Sequence, residues 1–113
     1  MRLRTWTICL NNVLDRGMYT IKFTGEFKHQ MKMCERRGYD MELLREAIRI
    51  LSTEGKLPEK YQPHQLLGDR KGQWECHIQP NWLLVWKQHD RELVLVMLNT
   101  GTHSDLFSKK YKK

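Results

Sequence analysis

Three histidines in the C-terminal half of the chain are the residues best suited to chemistry. His64 lies in a proline-flanked loop, His77 in a stretch with strand character, and His103 in a Gly-Thr-His turn. Because histidine ordinarily titrates near neutral pH, its ring can both accept and donate protons under physiological conditions. If the three rings meet on one surface, they suit proton transfer on a polyanion.

Cleavage of RNA without a metal is a reaction that such a group can carry out. One residue removes the proton from a ribose 2′-OH, a second protonates the departing 5′ oxygen, and a cation stabilises the crowded phosphorane. Arg70 and Lys71 are the nearest cations by sequence. The pattern therefore predicts a ribonuclease-type site built from His64, His77 and His103, with Arg70 and Lys71 beside it.

Metal binding is a weaker interpretation of the same histidines. They lie 13 and 26 residues apart, and none has a second ligand at the spacing of a metal site. In a strand, Cys76 and His77 point to opposite faces and cannot ligate one ion. We expect no metal and no cofactor, and we expect His29 and His89 to be surface residues.

Two short helices are predicted in the first half of the chain. Thr24 can cap the first helix, which Gly38 ends, and Asp40 can cap the second, which Gly55 ends. The short link between them predicts an antiparallel hairpin. Apolar residues share one face of each helix: Phe27, Met31 and Cys34 on the first, and Met41, Leu44, Ile48 and Leu51 on the second.

Strand patterns flank these helices and predict the sheet that carries the histidines. One pattern covers residues 19–23, and three more cover 73–79, 82–88 and 92–98. Short links make the last three antiparallel neighbours, and residues 55–68 read as a loop. The expected fold is α+β: an N-terminal strand and a two-helix hairpin packed on one face of a small, mostly antiparallel four-stranded sheet.

The positive charge of the chain is concentrated at its ends. The net charge of the 113 residues is +7, of which residues 1–17 carry +2 and residues 108–113 carry +4. We therefore divide the chain into an N-terminal extension (1–17), interpreted as lying upstream of a usual start at Met18, one domain (18–107) and a basic tail (108–113). The tail suits nucleic-acid contact, but a role in solubility explains its charge equally well.

Cysteine content and hydropathy indicate the compartment. Cys9, Cys34 and Cys76 form no Cys-x-x-Cys pair, which argues against a disulfide framework and a structural zinc site. No apolar run approaches the roughly 20 residues that span a bilayer, and the apolar stretch near the N-terminus is too short for a signal peptide. We expect a cytoplasmic protein with no membrane partner.

Two stretches resemble the YafQ branch of the RelE-type toxins, which are the toxin halves of bacterial type II toxin–antitoxin pairs. They are KGQWECHIQPNWLLV, from Lys71 to Val85, and TGTHSDLF, from Thr100 to Phe107. The resemblance implies a RelE-like fold and a ribosome-dependent endoribonuclease that cuts messenger RNA in the ribosomal A site, where ribosomal RNA surrounds it. It also implies an antitoxin partner, and contact with operator DNA only as a complex with that antitoxin.

The resemblance also assigns roles to residues. It places His64, His77 and His103 on the family's functional histidines and makes Phe107 an aromatic that positions the substrate. Trp82 matches a family tryptophan, although an aromatic at the start of a strand is equally compatible with the core.

Two positions depart from the family pattern. Asn81 stands where an aspartate important for cleavage is common, and an amide cannot accept a proton or carry charge. Asn99 stands where some members have an arginine, whose loss would weaken stabilisation of the phosphorane. These departures support a second hypothesis, a catalytically inactive homologue that binds nucleic acid or acts as an operon co-repressor with its antitoxin.

Overall fold

The structure is a computed structural model that describes residues 18–107, apart from the side chain of Phe107. The predicted N-terminal extension and basic tail lie outside the described residues. The elements in chain order are β1 (Thr20–Phe23), α1 (Gly25–Arg36), α2 (Met41–Glu54), β2 (His64–Gln65), β3 (Trp74–Gln79), β4 (Trp82–His89), β5 (Val94–Gly101) and α3 (His103–Phe107). The predicted α+β class is confirmed. Within the described part, no helix has the length and apolar character needed to cross a membrane.

One mixed sheet organises these elements, with strand order β1-β5-β4-β3-β2. β1 pairs with β5 in parallel at one edge, and the remaining pairs are antiparallel. The sheet has five strands and not the predicted four, because β2 forms inside the predicted loop. Two residues are too few to show alternation, so the pairing of His64 with Glu75 has no local signal.

The last strand is longer than its apolar pattern predicts. β5 runs to Gly101, three residues beyond the predicted end at Leu98. Its polar residues stay in the sheet because their side chains find partners: the Thr100 hydroxyl donates to the Leu83 carbonyl at 2.8 Å. On the other side of β5, where β1 has ended, the Gln30 side chain of α1 accepts the Thr100 backbone N–H at 3.0 Å. The helix side chain thus takes the place of a neighbouring strand.

The two predicted helices form with the predicted caps. The Thr24 hydroxyl accepts from the Phe27 N–H at 3.0 Å, and the Asp40 carboxylate accepts from the Glu42 N–H at 3.1 Å. Gly55 ends α2 in the left-handed region, with φ of 75°. These local signals are strong because each satisfies backbone groups that a helix end leaves unpaired.

The main core lies between the helix hairpin and one face of the sheet, as predicted. Its fully buried side chains from the helices include Phe27, Met31, Leu44, Ile48 and Leu51, and those from the sheet include Cys76, Trp82, Leu84, Trp86, Leu95 and Met97. Burial raises the pKa of the Cys34 thiol to about 11 and raises the pKa of the Cys76 thiol further, so both remain protonated at neutral pH.

The opposite face of the sheet, which we call the outer face, carries a second and smaller apolar cluster. Leu83, Val85 and Leu106 are buried there, with Leu66 and Leu98 packed against them. Leu106 belongs to α3, so this short helix lies on the outer face. β5 is therefore covered on both sides, as its continuous apolar sequence predicts. Polar side chains lie on the part of the outer face that this apolar cluster does not cover.

Gly55 is a position where any side chain should be costly. Its φ of 75° is unfavourable for L residues, and a Cβ there would lie 2.9 Å from the Tyr19 hydroxyl oxygen. Gly55→Ala is expected to lower the free energy of unfolding by roughly 1–3 kcal/mol. Urea denaturation will measure the change, with Gly25→Ala as the control because a Cβ at Gly25 meets nothing within 4 Å. Equal losses in the two variants would contradict the expectation.

Candidate active site

The three predicted histidines lie side by side on the outer face. The ring centroids of His64 and His77 are 6.5 Å apart, and those of His77 and His103 are 6.0 Å apart. His77 is therefore the middle member of a row that we call the histidine row. The side chain of His64 is 48% exposed, and His103 is also exposed, so a ligand in solution can reach the row.

Strand register explains why three residues from distant parts of the chain meet. His77 in β3 lies opposite Leu83 in β4, and Leu83 lies opposite Gly101 in β5. The chain then turns so that His103 begins α3 two residues later. On the other side, His64 lies opposite Glu75, which shares a face with His77 because side chains alternate along β3.

The turn that presents His103 is held by Asp105. One oxygen of this carboxylate accepts the Thr102 backbone N–H at 2.9 Å, and the Thr102 hydroxyl accepts from the Asp105 N–H at 3.1 Å. Both carboxylate oxygens also accept from the Arg37 guanidinium, at 2.7 and 3.1 Å. The turn folds so tightly that a Cβ at Gly101, where φ is 151°, would lie 2.8 Å from the carboxylate. α3 is thus tied to the end of α1.

The ion pair of Asp105 with Arg37 predicts a pH-dependent contribution to stability. Hydrogen bonds from Arg37 lower the pKa of Asp105 to about 2. Because the folded-state pKa is depressed, the contribution is complete above the unfolded pKa of about 4 and is lost as the pH falls towards 2. Asp105→Asn is expected to cost roughly 1 kcal/mol at neutral pH. Urea unfolding of both proteins at several pH values will test this, and a difference that does not shrink in acid would contradict it.

The predicted cation Arg70 reaches across the sheet from the turn before β3. Its guanidinium donates to the side-chain oxygen of Asn99 through Nη2 and to Gln73 Oε1 through Nε at 2.8 Å. Partial burial lowers the pKa of Arg70, but an arginine remains charged at neutral pH. The charge of this held cation interacts electrostatically with the carboxylates of Glu26 and Glu75.

Asn99, a predicted substrate-binding residue, lies largely buried near the end of β5. Its side chain is 6% exposed, accepts from Arg70 and donates to Gln30 Oε1 at 3.2 Å. The observed role of this side chain is to hold Arg70. A direct contact of Asn99 with substrate stays a prediction.

Trp82 is a core residue in this structure, and its predicted contact with substrate stays a prediction. Its ring is 1% exposed and packs against Tyr39 with 4.8 Å between centroids. The indole N–H donates to the Thr100 hydroxyl at 2.9 Å. Strand alternation places Trp82 on the helix-facing side of β4 together with Leu84. The sequence was equally compatible with a core position and with an exposed one, and the structure shows the core position.

The remaining predicted residues lie near the histidine row or outside the described residues. Asn81 is exposed in the tight turn between β3 and β4, next to Pro80, whose carbonyl is 3.3 Å from His77 Nδ1. Lys71 is exposed directly after Arg70. Phe107 is the last residue of α3, and its side chain lies outside the described part of the structure.

Glu75 is a site residue that the sequence analysis did not select. Its carboxylate is buried at 5% exposure, and Oε1 lies 2.9 Å from His64 Nε2. Alternation along β3 places Glu75 on the same face as His77, and this pattern could have identified Glu75 from the sequence. Its pairing with His64 depends on β2, which has no signature of its own.

A protein metal site requires several ligating side chains around one point. Among residues 18–107, no group of three or more His, Cys, Asp or Glu side chains is placed to hold a metal ion. Cys76 lies in the core while His77 lies on the outer face, as strand alternation predicts. His29 and His89 are exposed, also as predicted.

Several known proteins are similar to this chain in sequence and in fold. The family model for the bacterial toxin of type II toxin–antitoxin system, YafQ, matches residues 19–108. The mRNA interferase toxin YafQ of Escherichia coli (strain K12) is 33% identical over 88 residues, which are 77% of this chain and 94% of that protein.

Two solved structures extend the comparison to three dimensions. The crystal structure of the E. coli DinJ-YafQ toxin-antitoxin complex matches with a TM-score of 0.73 and 32% identity, covering 80% of this chain and 98% of that chain. The crystal structure of a metal-bound toxin from Helicobacter pylori matches with a TM-score of 0.73 and 37% identity, covering 80% of this chain and all of that chain.

Proposed function

Because this chain belongs to the YafQ family of toxins from type II toxin–antitoxin systems, we propose that it is an endoribonuclease that cleaves messenger RNA and is blocked by a cognate antitoxin. The observation that carries the proposal is the histidine row, whose neighbouring rings are 6.0 and 6.5 Å apart on a surface open to solvent. Those spacings allow neighbouring rings to contact different atoms of one phosphodiester.

The proposed reaction is an internal transesterification of RNA. One histidine takes the proton of the ribose 2′-OH, and the 2′ oxygen forms a bond to phosphorus. The bond between phosphorus and the 5′ oxygen breaks, and a second histidine donates a proton to that oxygen. The products are a 2′,3′-cyclic phosphate and a 5′-hydroxyl end, so protons, atoms and charge balance without a metal. His103, placed by the turn at Gly101, takes part directly in proton transfer.

Arg70 supplies the positive charge that the reaction requires. A phosphorane carries more negative charge than the phosphodiester, and a fixed cation stabilises it without reorganising during the reaction. Arg70 is held on two sides, by Gln73 and by Asn99, so its guanidinium is preorganised. Where some family members have an arginine at the position of Asn99, this chain has an asparagine that supports an arginine from another element. Lys71 adds a second, exposed charge.

The ribosome is the proposed setting of the reaction. The described domain carries a net charge of only +1, which is little for binding RNA alone, since nonspecific RNA affinity comes from neutralising phosphates. We propose that messenger RNA is presented in the ribosomal A site, with ribosomal RNA as the surrounding partner. The proposal includes a cytoplasmic location and contact with operator DNA only in complex with the antitoxin.

Mapping of transcript 5′ ends after induction tests the proposal. New ends at in-frame codon positions, carrying 5′-hydroxyl groups, are expected within minutes of expression and should disappear when the antitoxin is expressed too. In a purified translation system kept at constant Mg²⁺, cleavage should persist after 1,10-phenanthroline has removed transition metals. Loss of cleavage on chelation would contradict the metal-free chemistry, and growth arrest without new ends would contradict the nuclease.

A binding function without cleavage is the second candidate. Asn81 favours it, because the family commonly has an aspartate there that is important for cleavage. Such a protein would contact nucleic acid or repress its operon together with its antitoxin, and transcripts would keep their original ends. The same mapping experiment separates the two candidates.

A further inference from the structure

The short helix α3 depends on tertiary contacts for its position. It has five residues, His103–Phe107, whereas isolated helices shorter than about 12–15 residues are marginal in water. Leu106 supplies one contact on the outer face, where it is 3% exposed in the smaller apolar cluster. That contact anchors the later part of α3, but His103 lies at its beginning. The orientation of His103 therefore depends on what holds the first turn.

The first turn of α3 is held by Asp105, and Asp105 is held by Arg37. The reciprocal hydrogen bonds between Thr102 and Asp105 have the form of a capping box, which fixes the start of a helix. The same carboxylate accepts from both terminal nitrogens of Arg37, and such a bidentate pair fixes orientation as well as distance. The side chains are 35% exposed for Arg37 and 24% exposed for Asp105, so water screens the ion pair only in part.

Arg37 is in turn connected to the main core. Its backbone is the C-cap of α1, so its Cα position is set by that helix. Its guanidinium carbon lies 6.0 Å from the centroid of the Tyr39 ring, and this ring packs against the buried ring of Trp82. A continuous series of contacts therefore leads from the core through Arg37 and Asp105 to the turn before α3.

We infer that Arg37 is a positioning residue, which acts through Asp105 to hold the turn that presents His103 to the RNA. This inference rests on the proposed nuclease function. Both terminal nitrogens of Arg37 donate to Asp105, so the guanidinium is oriented towards that carboxylate. Without the ion pair, α3 keeps its apolar anchor but its first turn is free to shift, and a misplacement of about 1 Å can cost about 10²-fold in rate.

Amide hydrogen exchange of the isolated protein tests the structural effect of Arg37 without any RNA. Arg37→Gln is expected to speed exchange at Thr102 and Leu106 about 5-fold, because local opening of α3 becomes easier. The Leu106 N–H donates to the Thr102 carbonyl at 3.1 Å and so reports on this turn directly. Amides of β4 should keep their rates, which distinguishes local release from a general loss of stability. Arg36→Gln is the matched control, because it removes the same charge from the exposed neighbouring residue of α1. Equal exchange at α3 in the two variants would overturn the inference.

Cleavage rates in a purified translation system show whether the ion pair matters for the reaction. Arg37→Gln is expected to lower kcat about 10-fold and to leave KM for the ribosome–messenger complex nearly unchanged, because the displaced group acts at the reacting phosphodiester. Arg37→Lys, which keeps the charge but not the two parallel hydrogen bonds, should give an intermediate rate. Gly55→Ala, which is expected to lower stability from the end of α2, should leave kcat of the folded protein unchanged. A rise in KM without a fall in kcat would indicate that Arg37 binds RNA itself and would overturn the inference.

A double-mutant cycle separates positioning through Asp105 from a direct contact with RNA. Asp105→Asn keeps an oxygen that can cap α3 but removes the charge that Arg37 binds, so it should also slow cleavage. Because Arg37 acts only through Asp105, adding Arg37→Gln to Asp105→Asn should cause no further loss. Losses that multiply in the double variant would show that Arg37 acts independently of Asp105 and would overturn the inference.

These measurements separate the inference from the proposed function. If the unsubstituted protein cleaves no transcript, the nuclease proposal fails, whereas amide exchange still decides whether Arg37 holds the turn. If the unsubstituted protein cleaves transcripts and Arg37→Gln cleaves them as fast as Arg36→Gln, the nuclease proposal stands and the role of Arg37 fails.

Discussion

Simultaneous replacement of His64, His77 and His103 with alanine is expected to remove the new transcript ends that expression of the toxin produces. The variant lacks all three candidate proton-transfer groups, and each group that takes part in proton transfer typically contributes 10²–10⁴ to the rate. Because the three residues act as a unit, their effects will not add fully, and we expect a loss of about 10⁴-fold or more. Growth arrest should disappear with the cleavage.

Binding of the antitoxin is the measurement that shows whether this variant is folded. His64 and His103 are exposed, and none of the three rings belongs to either apolar cluster, so truncation leaves the cores intact. The matched control is His29→Ala with His89→Ala, which removes two exposed histidines away from the histidine row and should leave cleavage unchanged. A triple variant that still produces in-frame ends would exclude the histidine row as the catalytic centre.

Asn81→Asp is expected to increase cleavage and growth inhibition. A carboxylate at this position could accept a proton or stabilise a positive charge, and recovery of one acid–base participant is typically worth about 10²–10⁴ in rate. The turn that carries Asn81 also supplies the Pro80 carbonyl that contacts His77. The new charge would therefore lie next to the middle of the histidine row. Rates of transcript cleavage in a purified translation system will measure the effect.

Gln79→Glu is the control for a general effect of added negative charge on cleavage. Gln79 is exposed at the end of β3, two residues before Asn81, and the change introduces the same charge in the same region. Only Asn81→Asp should raise the rate. If both proteins cleave as slowly as the original sequence, or if Asn81→Asp is no more toxic, Asn81 has no part in the mechanism.

Local sequence patterns predicted the features that depend on local energetics. Thr24 and Asp40 satisfy backbone N–H groups at helix starts, and a glycine in the left-handed region follows each helix. Alternation placed Cys76 in the core and His77 on the opposite face, because successive strand residues point to opposite sides. The approximate positions of β1, β3 and β4 followed from the same rule.

Features created by contacts between distant residues were not predictable from these patterns. β2 exists only because two residues pair with β3, and the contact of His64 with Glu75 depends on that pairing. Asn99 stays in β5 because its side chain bonds to Arg70, which lies 29 residues earlier in the chain. From the local pattern alone, this polar residue after an apolar run marked the end of the strand. The polar contacts around the histidine row thus arise from tertiary structure, and local sequence patterns do not predict them.

The parallel pairing of the first strand has a consequence for how the molecule folds. Thr20 meets its partner Val94 across an intervening chain of more than 70 residues, and β5 separates β1 from every other strand of the described sheet. The helices that lie between them in sequence can form early, but the sheet face against which they pack is complete only when β5 has formed. Contacts so remote along the chain slow folding. A fragment that stops before β5 should therefore remain unstructured and open to proteases, because it lacks the strand that joins β1 to the rest of the sheet.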